Sequence, residues 1–232
     1  AVNRVISDGR QWGFRKRLGR ALTLVAIVAG LCAALLCSRP ASAQSVVGAS
    51  TSTSSTTDAG RKSFYESAGA NHWVFWYNGT AIEYASSSDG TTWTSRGTLA
   101  YNTPKFSVAF KSIGGTPYVF LVSEANTYDV IMRRGSISGT TITFDSAVTV
   151  FDGTSSSDKY TSPTVALDTN SKVWTAAFRD LGDIGDRFYL TARRTTNDGS
   201  QTLTFDAASS IGKASISFAG VALRSEEHTS EL

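Results

Sequence analysis

One pattern of four apolar runs, separated by turn residues, occurs three times along the chain and begins a fourth time. Apolar and polar residues alternate within each run, as they do in half-buried β-strands. The three copies are Lys62–Ser67, Asn71–Tyr77, Thr80–Ser87 and Thr92–Ala100; Lys105–Ser112, Thr116–Ser123, Tyr128–Arg134 and Thr140–Val150; Tyr160–Asp168, Lys172–Asp180, Asp186–Arg194 and Gln201–Ser209. Lys213–Leu223 has the pattern of a fourth copy's first run.

The spacing of the third runs sets the size of the repeat. Ile82, Val130 and Phe188 occupy equivalent positions, so the repeat is about 50 residues long, the length of a propeller blade. The runs are rich in β-branched and aromatic residues, and no helical stripe competes with them. Propellers close with roughly four to eight blades. The sequence therefore predicts an all-β fold, a partial β-propeller of about three antiparallel four-stranded blades plus one strand, over residues 61–223.

The two ends of the chain differ from the repeats. Basic residues before the apolar run 21–36, followed by Ala41-Ser42-Ala43, predict a secretory signal peptide over residues 1–43. An uncleaved membrane anchor is the alternative, although the run is short for a bilayer. The Ser/Thr-rich segment 44–60 is expected to be a linker. Residues 224–232 resemble a translated sequencing adapter, and we expect the chain to be a fragment of a longer protein.

The net positive charge of the chain comes from the predicted signal peptide, where basic residues outnumber acidic ones. The whole chain has a formal net charge of +3, whereas residues 44–223 are close to neutral. This composition predicts no binding surface for nucleic acid, and none for a membrane after signal cleavage. Cys32 and Cys37 both precede the predicted cleavage site after Ala43. The mature domain is therefore expected to depend on core packing without disulfides.

A short turn segment, Ser87–Trp93, separates the third and fourth runs of the first copy. Asp89 can accept hydrogen bonds from turn amides, Gly90 can adopt a positive φ, and Trp93 can pack between sheets. The segment resembles the Asp-box of sialidases and other Asp-box propellers, in the form S-x-D-G-x-x-W. The resemblance implies a structural role for Ser87, Asp89, Gly90 and Trp93, on the face opposite the active site.

The same resemblance directs attention to the other face. There, loops join second to third strands and one blade to the next, and propellers usually bind their ligands. Arg61 lies near the position of a substrate-binding arginine of sialidases, without the Ile-Pro that follows it in that family. The other candidate sugar-binding residues are Tyr101, Asn102, Tyr160, Arg179 and Arg187. Exposed aromatic rings beside amide and charged groups suit sugar stacking, and half-buried packing is the alternative for each tyrosine.

The loop from Arg179 to Arg187 contains three aspartates separated by glycine and apolar residues. Asp180, Asp183 and Asp186 could bind calcium through oxygen ligands. Alternatively, Asp180 or Asp183 could act with Glu124 as the acids of a glycosidase. The simplest interpretation is a solvated acidic loop neutralised by its two arginines.

The sequence as a whole predicts a secreted or cell-surface propeller that binds or hydrolyses an extracellular carbohydrate. An enzyme of this kind would be a glycoside hydrolase. A non-catalytic surface or interaction propeller is the competing hypothesis, because fold alone does not define an activity. No cofactor is expected apart from calcium at the aspartate loop, and the sequence contains no signal for the oligomeric state.

Overall fold

A computed structural model describes residues 46–53, 60–125, 128–182 and 188–214 of the chain. These residues form thirteen strands and contain no helix long and apolar enough to cross a membrane. The strands are β1 (Ser63–Glu66), β2 (Asn71–Tyr77), β3 (Ile82–Ser87), β4 (Thr94–Leu99), β5 (Phe106–Ile113), β6 (Thr116–Glu124), β7 (Val130–Ser138), β8 (Thr141–Phe144), β9 (Val148–Phe151), β10 (Lys159–Leu167), β11 (Val173–Asp180), β12 (Phe188–Arg194) and β13 (Ser209–Ala214).

The strands form three antiparallel sheets, each built from consecutive strands of the chain. We call them blade one (β1–β4), blade two (β5–β9) and blade three (β10–β13). The first strand of each blade lies next to the first strand of the following blade, β1 beside β5 and β5 beside β10. First strands gather in this way around a propeller axis. The predicted all-β fold, a partial propeller, is confirmed.

The blades pack through two clusters of apolar side chains. One cluster joins blades one and two and includes Trp73, Phe75 and Leu121, all essentially buried. The other joins blades two and three and includes Phe120 and Val173. Adjacent residues of β6 therefore enter different clusters, which explains why that strand is almost continuously apolar.

The outer edges of blades two and three differ from the prediction. Thr140–Val150 was expected to be one strand, but β8 and β9 are separate and both pair with β7. In blade three the expected strand Gln201–Ser209 is reduced to a bridge between Thr195 and Phe205. The strand that completes the sheet is β13.

This shift also moves the start of the predicted fourth blade. Lys213 and Ala214 pair with β12 in blade three, so their assignment to a fourth blade is wrong. Residues 215–223 lie outside the described residues.

The interruptions of the outer strands in blades two and three both follow a Phe-Asp pair. In each pair the aspartate bonds an arginine of the third strand, Asp145 to Arg134 and Asp206 to Arg194. A break of this kind does not alter the alternation from which strands are predicted.

Part of the predicted linker contacts blade one. The indole N–H of Trp76 donates to the carbonyl of Ala49 (3.2 Å), and the Thr51 N–H donates to the carbonyl of Asn78 (2.9 Å). Gly48 lies so close to the indole that a Cβ there would be 2.3 Å from Cζ2 of Trp76. Residues 46–53 therefore satisfy polar groups near the end of β2.

The Ser87–Trp93 turn has the hydrogen bonds expected from its composition. Asp89 Oδ1 accepts from the N–H groups of Thr91 (2.8 Å) and Thr92 (2.6 Å), and Ser87 Oγ donates to it (2.8 Å). Gly90 has a φ of 70°. The amides of Thr92 and Thr91 and the Ser87 hydroxyl hold the pKa of Asp89 well below its ordinary value.

The corresponding turn of blade three uses the same device. Asp198 Oδ1 accepts from the Ser200 N–H (2.8 Å) and from the Ser200 hydroxyl. These bonds lower the pKa of Asp198. A carboxylate accepting backbone amides therefore orders the turn before the fourth strand in two blades.

We predict that Asp89→Ala lowers the thermal midpoint by a few degrees, because two turn amides lose their acceptor. The pKa of Asp89 is depressed in the folded state. Its contribution to the stability of the fold is therefore complete above the ordinary aspartate pKa, and it is lost as pH falls through the folded-state pKa. The difference from wild type should therefore shrink in acid. Thermal denaturation followed by circular dichroism across pH measures both effects.

Ser88→Ala is the matched control, because Ser88 is an exposed neighbour in the same turn. It should leave the thermal midpoint unchanged. Equal midpoints for Asp89→Ala and wild type at neutral pH would contradict the structural role of the carboxylate.

Candidate functional site

Charged side chains concentrate where the second strands of blades two and three end and their first strands begin. We call this surface the connection face. It comprises Lys105, Glu124, Asp158, Lys159, Thr161, Ser162, Arg179 and Asp180. The ends of β6 and β11 and the beginning of β10 position most of these residues.

Glu124 joins blade two to blade three at this face. Its Oε1 lies 3.2 Å from Nζ of Lys105 and accepts from the Ser162 N–H at 3.1 Å. The Thr161 hydroxyl also donates to Oε1, while Lys105 Nζ donates to Thr161 Oγ1 at 2.7 Å. One carboxylate oxygen therefore organises donors from both blades.

An irregularity in β10 makes this contact available. The pairing between β10 and β11 shifts register between Thr161 and Thr164. Ser162 lies within this bulge and has a φ of 51°, a conformation that non-glycine residues adopt infrequently. Because the bulge takes Ser162 out of the ladder, its N–H is available to Glu124.

Asp180 and Asp158 are paired with cations on the same face. Asp180 Oδ2 lies 3.4 Å from Nζ of Lys159, and Asp180 Oδ1 accepts from the Gly182 N–H at 2.9 Å. Arg179 makes a bidentate contact with Asp158, through Nε (2.7 Å) and NH2 (3.0 Å). This guanidinium lowers the pKa of Asp158.

The two lysine–carboxylate pairs occupy equivalent positions in their blades. In the sheet, Glu124 and Asp180 each lie opposite the first residue of the third strand of their blade. On their other side, each lies opposite a lysine at the start of the first strand. In blade one, Tyr77 takes the position of the acid. Alignment of the ends of the second runs could have found this repeat, which the sequence analysis missed.

Tyr160 is a packed aromatic residue, which is the alternative to an exposed ring that stacks on sugar. It is only 8% exposed and stacks on Phe151 with ring centroids 4.9 Å apart. The guanidinium of Arg179 lies 5.6 Å from the centre of its ring, and burial raises the pKa of Tyr160. Tyr160 belongs to the core between blades two and three, and its ligand-binding role stays a prediction.

The other candidate sugar-binding residues lie near blade one. Tyr101 is half-buried against the core, with Arg133 Cζ 5.3 Å from its ring centre. Asn102 is exposed, and its Oδ1 accepts from the hydroxyl of Tyr77. Arg61 is also exposed. None of the contacts described for these three residues is with Glu124 or its partners. Their ligand-binding roles stay predictions.

Most of the predicted aspartate loop lies outside the described residues. This applies to Asp183, Asp186 and Arg187, so the calcium site and the role of Asp183 as an acid stay predictions. Within the part of the chain that the structure describes, no group of three or more His, Cys, Asp or Glu side chains is placed to hold a metal ion.

Comparison with known proteins gives no family assignment for this chain. No protein-family model and no curated protein matches the sequence. One similar solved structure is Penicillium chrysogenum alpha-L-arabinanase complexed with arabinobiose, at 15% identity and a TM-score of 0.38. The similarity covers 62% of this chain, which spans only 42% of the arabinanase chain. The three packed sheets themselves therefore define the fold.

We predict that Glu124→Ala lowers the free energy of unfolding by about 2 kcal/mol, because donors from two blades lose their shared acceptor. Glu124→Gln should cost less, since the amide oxygen can still accept from Ser162 and Thr161. Urea denaturation followed by tryptophan fluorescence measures both. Asp152→Asn, at an exposed residue of blade two's connection to blade three, is the control. Wild-type stability of Glu124→Ala would contradict the bridging role.

Proposed function

We propose that this chain is part of a secreted Asp-box propeller that binds an extracellular carbohydrate at its connection face. The observation that carries the proposal is the convergence of hydrogen-bonding groups from two adjacent blades near their first strands. Lys105, Glu124 and Thr161 form a continuous network, and the Lys159–Asp180 pair repeats its charges one blade on. First strands surround the channel of a propeller, and ligands commonly bind near its mouth.

The chemistry of this network suits a carbohydrate. Sugar hydroxyls both donate and accept hydrogen bonds, and ammonium and carboxylate groups make the stronger, charge-assisted bonds to them. The ion pairs also hold the side chains in place before a ligand arrives, which reduces the entropy lost on binding. The near-neutral charge of residues 44–223 argues against a nucleic acid as the ligand.

The pairing of the acids favours binding over hydrolysis. A glycosidase usually needs one protonated carboxyl group opposite a second carboxylate. On the described part of the connection face, each of the three carboxylates contacts a cation: Glu124 contacts Lys105, Asp158 contacts Arg179, and Asp180 contacts Lys159. Before Glu124 or Asp180 could donate a proton to a substrate, its carboxylate would have to break its contact with lysine and contact the substrate instead.

The turns before the fourth strands support assignment to the Asp-box propellers. The contacts of Asp89 with its own turn amides give this residue a structural task that needs no ligand. The turn follows the end of β3, whereas Glu124 ends β6, so the two lie at opposite ends of the blades. A signal peptide over residues 1–43 would place such a carbohydrate-binding propeller outside the cell.

Affinity electrophoresis of the full chain against a panel of soluble plant and microbial polysaccharides tests the proposal. We expect at least one polysaccharide to retard the wild-type protein. The double variant Glu124→Gln/Asp180→Asn should weaken that binding by roughly tenfold or more, because charged hydrogen bonds are lost. Asp206→Asn is the matched control, since it breaks an ion pair of blade three outside the connection face.

Equal retardation of the double variant and the control would overturn the assignment of the site. Absence of binding to every polysaccharide would overturn the carbohydrate class and favour an interaction propeller. Release of reducing sugar from a bound polysaccharide would show hydrolysis, contrary to the expectation from the paired acids.

A further inference from the structure

A cleft outside the connection face separates the outer parts of blades two and three. Its volume is about 330 Å³, within the range of small-ligand sites. The residues that line it are Arg134, Asp145, Ser146 and Val148 of blade two and Thr202 and Leu203 of blade three. We call it the outer cleft.

An ion pair forms one wall of the outer cleft, and hydrogen bonds connect it to blade three. Nε and NH2 of Arg134 donate to Oδ2 of Asp145 at 2.8 and 2.5 Å. The NH1 group of the same guanidinium donates to the carbonyls of Gln201 (2.6 Å) and Gly199 (3.2 Å) in blade three. Arg134 therefore fixes the carboxylate and bridges the two blades.

Asp145 retains an acceptor for a ligand. Both bonds from Arg134 fall on Oδ2, and none of the hydrogen bonds among the described residues is to Oδ1. The side chain is 52% exposed. The ionised oxygen can therefore accept strong hydrogen bonds from a molecule in the cleft.

The rest of the lining combines an apolar floor with hydroxyl groups. Leu203 is 6% exposed and belongs to the core between blades two and three, and Val148 packs against that core. Ser146 and Thr202 are exposed and carry hydroxyls that donate and accept. A sugar ring presents C–H groups on its faces and hydroxyls around its edge, which matches a floor and walls of this kind.

We propose that the outer cleft is a second carbohydrate site, which holds a neutral sugar unit through Asp145, Ser146 and Thr202 over the floor formed by Leu203 and Val148. The choice of sugar as the ligand class rests on the proposed function. Two sites on one propeller would increase its affinity for a polymer long enough to reach both, because the second contact becomes intramolecular.

Blade three provides a matched control for the ion pair. Arg194 Nε donates to Asp206 Oδ2 at 2.8 Å, as Arg134 does to Asp145. Asp206 does not line the outer cleft. Loss of the carboxylate can therefore be compared at two equivalent ion pairs, of which one faces the proposed site.

Saturation-transfer NMR of the full chain with cellobiose, maltose, lactose and xylobiose tests the site. The double variant Glu124→Gln/Asp180→Asn serves as the background, because it disables the connection face. We expect at least one disaccharide to bind in this background. Adding Asp145→Asn should weaken its binding by about tenfold, as for a lost charged hydrogen bond, whereas adding Asp206→Asn should leave it unchanged.

Adding Ser146→Trp should abolish binding, because the indole fills the outer cleft. None of the described hydrogen bonds is made by the Ser146 side chain, so the substitution breaks none of them. Retained disaccharide binding in this variant would overturn the proposal, as would equal effects of Asp145→Asn and Asp206→Asn. If the background double variant binds no disaccharide, the proposal of a sugar site in the outer cleft fails and that of the connection face stands. If binding depends on Ser146 but not on Glu124 and Asp180, the proposal of a sugar site at the connection face fails and that of the outer cleft stands.

Discussion

The burial of both faces of blade two is the constraint on which the rest of the structure depends. Successive side chains of β6 point alternately to blade one and to blade three, where each enters an apolar cluster. The outward faces of the flanking blades are less covered. Tyr65 on blade one is 50% exposed and Trp174 on blade three is 37% exposed. Blade two is therefore the centre of packing, and it sets the orientation of its neighbours.

The polar contacts between blades two and three depend on that packing. Close approach of the two sheets brings Glu124 within hydrogen-bond distance of Thr161 and Ser162, and it brings Arg134 to the carbonyls of Gly199 and Gln201. These contacts lie at different places along the same interface. One belongs to the connection face and the other to the outer cleft, so a single apolar interface positions both proposed sites.

The parts of the fold that follow from local chemistry could be predicted from sequence. Asn71–Tyr77 was predicted to the residue because turn residues bound the run and its side chains alternate. The amide contacts of Asp89 follow from its place in a short turn. The outer strands of blades two and three could not be placed, because a break after Phe-Asp leaves the alternation unchanged.

The composition of the candidate site was harder to predict for a different reason. Alternation along one strand does not show which blade covers its side chains, so the sequence left open whether Tyr160 is exposed or packed. In the structure it stacks on Phe151. Two partners of Glu124, Thr161 and Ser162, lie almost forty residues further along the chain and meet it at a bulge in the next blade. Such contacts depend on packing between blades, which a single sequence does not encode locally.

Native-state hydrogen exchange measured by mass spectrometry tests the central claim that blade two is the centre of packing. Its inner strands β5, β6 and β7 should exchange most slowly, because their amides open only when both apolar clusters separate. The strands β4 and β13, at the outer edges of blades one and three, should exchange first. Exchange of β6 as fast as that of β4 or β13 would contradict the account.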